Sequence, residues 1–392
     1  MIDYATKTFG RQTEVNALYN LFNAGKDVSM HGPRRLGKTF VLDRIVEQAN
    51  ANGYLCLKVE IAGSSEARHV FRRLCEEISR HRGIPKQTRT WIVQRVMQLA
   101  NPRTEPGSTW YQPLLNTDWE TYLERLLKAM QDDKDHNWAV LIDELPIFLK
   151  ALHDKGPAGV QQARDFMNLF ARLRSACPGN RWLVTGSIGI EPLARVGQYM
   201  GTMAKFTPYS LEPLTEAQAM DYIQDLARQG LLTQRQLITN DEAAAIVQAV
   251  GWRAAYYLEA FARAWPPNPT TEPETIKAYM ATAHVELMKQ HNSATFGPWE
   301  EHIRKHHTPT QQDLSFSVLN VVARHADGLD LDAILGAVGD AKLGKNDLRQ
   351  HLMRLCAEGL LYQAPPEDDS SPYKFRIPLL RLWWQRWPPT NS

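Results

Sequence analysis

Three observations predict the fold class of this 392-residue chain. Short apolar runs alternate with helical patterns through its first half. The octapeptide Gly32-Pro33-Arg34-Arg35-Leu36-Gly37-Lys38-Thr39 matches G-x-x-x-x-G-K-[ST], and the apolar run Trp138-Ala139-Val140-Leu141-Ile142 ends in the acidic pair Asp143-Glu144. Together they predict an α/β fold, a three-layer αβα sandwich around a parallel sheet of the P-loop NTPase kind.

The octapeptide has the context such a loop requires. Asp27-Val28-Ser29-Met30-His31 before it reads as a buried strand, and Val41, Leu42, Ile45 and Val46 after it set a helical apolar period. Gly32 and Gly37 let the backbone curl so that successive N–H groups face phosphate oxygens. Lys38 brings a point charge to the β- and γ-phosphates, and the Thr39 hydroxyl is placed for Mg²⁺. The helix that begins near Lys38 and continues through Phe40 aims its positive end at the same phosphates. Pro33, Arg34, Arg35 and Leu36 complete the expected nucleotide-binding set.

Hydrolysis needs more than a cradle. A buried parallel strand delivers its last residues to the ligand crevice, so Asp143 is expected to hold Mg²⁺ through water and Glu144 to polarise the attacking water. Lys38, Asp143 and Glu144 form the expected catalytic set. Arg181-Trp182-Leu183-Val184-Thr185-Gly186-Ser187 reads as a neighbouring strand. Thr185 or Ser187 at its tip would sense the γ-phosphate or the lytic water, although both residue types also serve as plain caps and turn formers. Tyr54–Glu60 and Lys205–Leu211 complete the sheet, with helical patterns at Glu66–His81, Trp119–Met130 and Val160–Ser175 between strands. The interval 82–137 exceeds a simple crossover. Its stretch 100–112 is rich in Pro, Gly, Ser and Thr and reads as a surface insertion with a mobile loop.

Composition narrows the class. A formal charge of +2 gives no global field to draw nucleic acid or membrane. The four cysteines lack metal-ligand spacing, which favours reduced thiols in a cytoplasmic protein. No signal region or membrane-spanning run is expected. His302, His306, His307 and His31 form no metal-site pattern and are expected to face solvent.

The last third reads differently. Pro266-Pro267-Asn268-Pro269-Thr270-Thr271-Glu272-Pro273 is a stiff linker. From about 313 the order is helix, helix, helix, hairpin, which predicts a winged helix. Its third helix offers Lys345, Arg349, Arg354 and Gln350 to DNA, but the wing tip Glu367-Asp368-Asp369 would repel phosphate. DNA contact and packing against a partner both stand as readings. The tryptophans at 383, 384 and 387 read chiefly as core or interface packing.

Several of these segments carry a family resemblance. Phe9-Gly10-Arg11-Gln12-Thr13-Glu14, Thr185-Gly186-Ser187-Ile188-Gly189, Leu211-Glu212-Pro213-Leu214-Thr215-Glu216-Ala217 and the ending Tyr373 to Trp384 resemble motifs of AAA+ and STAND-type P-loop ATPases. They are most similar to the bacterial and archaeal ATPases related to the origin-recognition/Cdc6 clade, over nearly the whole chain. The resemblance implies ATP and Mg²⁺ as ligands, Gly10 and Arg11 near the adenine, and a helical lid at 213–265. It also implies Arg253 as a second sensor, where STAND proteins carry proline, and an arginine finger at Arg195, with Arg172, Arg174 and Arg181 as rivals.

The expected organisation is therefore a P-loop core at 1–212 with an insertion at 82–137, the lid, a linker with connecting helices at 266–310, and a C-terminal winged-helix domain at 311–392. The expected function is an ATP-hydrolysing switch that couples nucleotide state to a protein partner or to further copies of itself. A nucleotide-regulated DNA-binding protein and the ATPase sensor of a signalling or anti-phage defence system are the alternatives.

Overall fold

The computed structural model describes residues 10–61, 63–80, 119–186, 188–232, 237–289, 293–339, 343–366 and 368–389. Phe9, Ser187, Glu367 and the loop expected at 100–112 lie outside the described residues. Two compact units are present, one of residues 10–32 with 38–211 and one of 33–37 with 212–389.

The first unit is built on five parallel strands, β1 (Asp27–His31), β2 (Tyr54–Glu60), β3 (Asn137–Asp143), β4 (Arg181–Gly186) and β5 (Phe206–Ser210), in the order β2-β3-β4-β1-β5. Every residue of β3 from Trp138 to Asp143 is buried, as is β4 from Trp182 onward. That explains their unbroken apolar runs, because helices cover both faces of a parallel sheet. One face packs on the helix Pro157–Ala176 through Phe170 and Trp182 (ring centroids 4.9 Å), and that helix meets Leu145–His153 through Phe166 and Phe148 (5.0 Å). Edge-to-face geometry at such spacing adds to the burial itself.

At the N-terminal edge of the sheet, Asp27 ties the strands together. Its Oδ2 accepts from Arg174 Nε (2.8 Å) and Nη2 (2.6 Å), and its Oδ1 accepts from the Trp182 amide (3.0 Å). Arg174 also lies 3.7 Å over the Phe206 ring. One carboxylate thus joins β1 and β4 to a helix, whose arginine covers β5.

The second unit is helical. Capping boxes start three of its helices: Thr215 with Gln218, Thr239 with Glu242, and Thr308 with Gln311. Its last elements are the helices Pro309–Ala323, Leu331–Val338 and Lys345–Ala357, the antiparallel pair β6 (Leu361–Gln363) and β7 (Tyr373–Phe375), and the helix Pro378–Arg386. The tryptophan cluster is mostly core: Trp383 and Trp384 are buried, Trp384 Nε1 donates to Asn320 Oδ1 (2.8 Å), and Trp387 is 39% exposed. Lys345 pairs with Asp332 (2.7 Å), and Arg349 pairs with Asp369 (2.6 Å). Two cations of the third helix are therefore answered by carboxylates of this same unit. Among the described residues, no helix is long and apolar enough to cross a membrane.

Arg174→Met is expected to destabilise the protein by about 3 kcal/mol, since it leaves a largely buried carboxylate with one amide donor. Chemical denaturation reads this directly, and an unchanged midpoint would remove Asp27 from its proposed place in holding the sheet.

Candidate functional site

The sheet order gathers the sequence-named residues at one edge. His31 of β1 pairs in register with Gly186 of β4, and Ile142 of β3 pairs with Val184. The loop after β1, the acidic pair after β3 and the tip of β4 therefore emerge side by side at the C-terminal ends of parallel strands. In open α/β sheets this edge is where ligands bind.

The loop has the backbone its sequence implied. Gly37 sits at φ 99°, a conformation that side chains disfavour, and the helix Lys38–Gln48 starts immediately after it. Arg35 is also left-handed, at φ 66°. Lys38 is buried, and its Nζ donates to the Gly32 carbonyl at 2.6 Å, bridging the two ends of the loop. Gly10 has φ 75°, and the buried Arg11 pairs with Glu14 at 2.6 Å. Leu36 is buried, while Phe40 is half-buried with Arg44 over its ring.

Asp143 is the hub. Thr39 Oγ1 donates to its Oδ2 at 2.8 Å, and Thr185 Oγ1 donates to its Oδ1. Both oxygens are thus oriented by hydroxyls from the loop and the neighbouring strand, inside a site where Asp143 and Thr185 are each 2% exposed. Glu144 follows in the left-handed region at φ 61°, ψ 37° and begins the helix Leu145–His153. A non-glycine residue in that region is strained by roughly 1 kcal/mol, and such strain collects at functional sites. The turn swings the Glu144 carboxylate out of line with the buried strand and leaves it half-exposed.

The donor set fits Mg²⁺. A threonine hydroxyl hydrogen-bonded to a single carboxylate is an all-oxygen pair, and Mg²⁺ characteristically takes one or two such ligands plus waters and phosphate oxygens. Among the described residues there is no cluster of three or more His, Cys, Asp or Glu that would make a protein cage.

No protein-family model matches the sequence, and no curated protein matches it. Solved structures do. The Walker-type ATPase of Pyrococcus abyssi is 15% identical, with a TM-score of 0.63 over 96% of this chain and 95% of that one. The two share a fold. Aeropyrum pernix ORC2 in its ADP form (15% identity, TM-score 0.44, 95% and 92% covered) and Cdc6p of Pyrobaculum aerophilum (12%, 0.40, 97% and 96%) are also matched.

The remaining sequence-named residues fall elsewhere. Arg195 is exposed on the short helix Glu191–Gly197, and Arg172 is exposed on Pro157–Ala176. Arg174 is spent on Asp27, and Arg181 begins β4 with Nη1 on the Asn180 carbonyl (3.2 Å). Arg253 donates Nε to the Leu214 carbonyl (2.7 Å), and Leu214 N returns a bond to the Arg253 carbonyl (3.0 Å). In this arrangement Arg253 closes the segment that leads into the first helix of its unit.

The histidines are a correction. Sequence reasoning placed His302, His306, His307 and His31 in solvent, but His302 is 2% and His307 5% exposed, and His31 and His306 are half-buried. The reason is Glu358, itself 4% exposed, whose carboxylate lies 2.8 Å from His307 Nε2 and 3.5 Å from His302 Nε2. Buried histidines need polar partners, and a glutamate fifty-one positions away supplies one. On the far side, His307 Nδ1 meets Ser315 Oγ (2.8 Å), which meets His351 Nε2 (2.9 Å). Glu358, Ser315 and His351 carried no sequence signal for this role.

Burial opposes the Glu358 charge, but the His307 hydrogen bond and the nearby His302 ring outweigh it and hold the carboxyl well below its usual range. Burial, aided by the charges of His307 and Arg354 and opposed by Glu358, pulls His351 down to about 4. A histidine with a depressed folded value contributes stability that is full above its unfolded value of about 6.5 and lost as pH falls toward 4. Stability is therefore expected to drop between pH 6.5 and 4. The slope in that window should flatten in His351→Gln, as followed by urea midpoints across a pH series. Equal slopes in the two proteins would assign the acid sensitivity to other groups.

Proposed function

We propose that this chain is an Mg²⁺-dependent ATPase that works as a nucleotide-driven switch of the AAA+ type related to the origin-recognition/Cdc6 ATPases. One observation carries the reading: Thr39 and Thr185 both bind Asp143, at the strand edge where Lys38 closes the phosphate loop. The shared fold with a Walker-type ATPase supports it.

The chemistry assigns each group a task. Backbone N–H groups of Gly32 to Thr39 and the Lys38 ammonium would bind the phosphates, with Gly10 and Arg11 near the adenine. Thr39 and Asp143 would hold Mg²⁺, which when bound neutralises charge on the β- and γ-phosphates. Glu144 orients the lytic water and accepts its proton. Thr185 fixes Asp143 and serves as sensor, with Ser187 and Arg253 as further sensor candidates and Arg195 as the arginine finger candidate. ATP over other nucleotides follows from the family resemblance.

The helix–helix–helix–hairpin end is read as a winged helix that passes nucleotide state to a protein partner or a second copy. DNA binding is the second reading. Lys345 and Arg349 argue against its usual mode, since their charges are answered by Asp332 and Asp369 before any phosphate arrives.

Two variants test the core of the proposal. Lys38→Ala is expected to lose Mg-ATP binding in calorimetry, and Glu144→Gln to bind Mg-ATP while phosphate release falls at least about a hundredfold. Hydrolysis by Glu144→Gln at the parental rate would dismiss it as the base.

A further inference from the structure

The three residues after Gly32 are anchored by their side chains, away from the phosphate cradle. Pro33–Gly37 pack in the same compact unit as residues 212–389. Pro33 rests on Gly359, where an added Cβ would come within 2.6 Å of the proline ring and the backbone stands at φ 84°. Arg34 Nη1 donates to His302 Nδ1 at 2.7 Å. Arg35 lies 4.3 Å over the Tyr256 ring.

The middle contact fixes a protonation state. A guanidinium only donates, so His302 Nδ1 must be the bare nitrogen and the ring proton must sit on Nε2. That nitrogen faces the Glu358 carboxylate at 3.5 Å. The nearby Glu358 charge favours a proton on that nitrogen, and so the tautomer that can receive Arg34, by proximity alone, since Nε2 makes no hydrogen bond. Burial keeps the ring neutral: it pulls the His302 value down, against the pull of Glu358 and with help from Arg34 and His307. From Glu358 the contacts continue through His307 and Ser315 to His351 on the helix Lys345–Ala357.

We propose that His302, oriented by Glu358, is a positioning residue that grips Arg34 and so holds the phosphate-binding loop in its nucleotide-receiving shape. The inference rests on the nucleotide reading above. It makes loop geometry depend on the helical C-terminal elements: whatever shifts Glu358 or the helix carrying His351 loosens the loop, and a bound phosphate that tightens the loop acts back on them.

The test is Mg-ATP affinity by calorimetry, together with KM and kcat, for wild type, His302→Ala and His302→Asn from pH 8 to pH 5. Losing a charged hydrogen bond should weaken Mg-ATP binding about tenfold in His302→Ala and raise KM with little change in kcat. The Asn amide oxygen can replace Nδ1 as acceptor and should restore most of that loss. In wild type, protonation of His302 turns Nδ1 into a donor and releases Arg34, so affinity falls on acidification. The charged or titratable groups around this ring are Arg34, His306, His307, Arg354 and Glu358, and all of them remain in the variants. The His302→Asn profile should therefore be the flatter one, and this comparison stands even where the Ala variant fails to fold. Binding by a folded Ala variant at wild-type strength, or an Asn profile as steep as wild type, overturns the inference alone. A wild-type chain that takes up no Mg-ATP overturns the nucleotide reading as well.

Discussion

β1 is hydrogen-bonded on both edges, to β4 on one side and β5 on the other, with all three strands parallel. This interior position is the constraint on which the candidate site depends. A central parallel strand cannot shift register without moving its whole apolar set, so the point at which the chain leaves it is fixed. The glycine loop leaves from that point. Because β3 is the next strand beyond β4, the acidic pair at its end arrives at the same edge without any contribution from loop flexibility. The Asp27–Arg174 pair secures the opposite edge of the same strands, so the core and the site are two ends of one arrangement.

Asp143 and Glu144 are adjacent in sequence but have different environments. Asp143 is the last residue of a buried strand, and its carboxylate is already oriented by two hydroxyls. Glu144 is turned out by a left-handed backbone and is half-exposed. A metal-holding acid needs the first setting and a base needs the second. On the proposed function, one strained residue separates a metal-holding role from a base role over a single peptide bond.

The sequence made the first unit legible because its signals are local. The starts of β3 and β4, at 137 and 181, coincide with switches from polar to unbroken apolar residues, and the Walker loop carries its own geometry in two glycines. The helical unit was legible as helices from its apolar patterns and motif segments, while the capping boxes at Thr215, Thr239 and Thr308 are seen in the structure. The polar cluster around Glu358 was not. Its members come from four separate segments, and Arg34 and His302 are 268 positions apart, so no periodicity or spacing links them. His302 and His306 were expected to face solvent because helical periodicity shows which residues share a face but not what covers that face. Similarly, the basic third helix did not reveal from sequence that Lys345 and Arg349 pair with Asp332 and Asp369 of the same unit.

A buried carboxylate with two histidines is an inefficient way to stabilise a helical core. Desolvating Glu358 costs several kcal/mol, and apolar side chains of the same volume would hold the helices at least as well. What apolar packing cannot do is impose a direction. The bare nitrogen of His302 must face an N–H donor, its protonated nitrogen must face a carboxylate, and Ser315 must lie within reach of two further histidines. Each requirement sets a direction between helices 293–306, 309–323 and 345–357 that apolar contacts do not set. The arginine at its end belongs to a phosphate loop. A polar cluster of that kind makes the loop and the three helices settle into a single arrangement together.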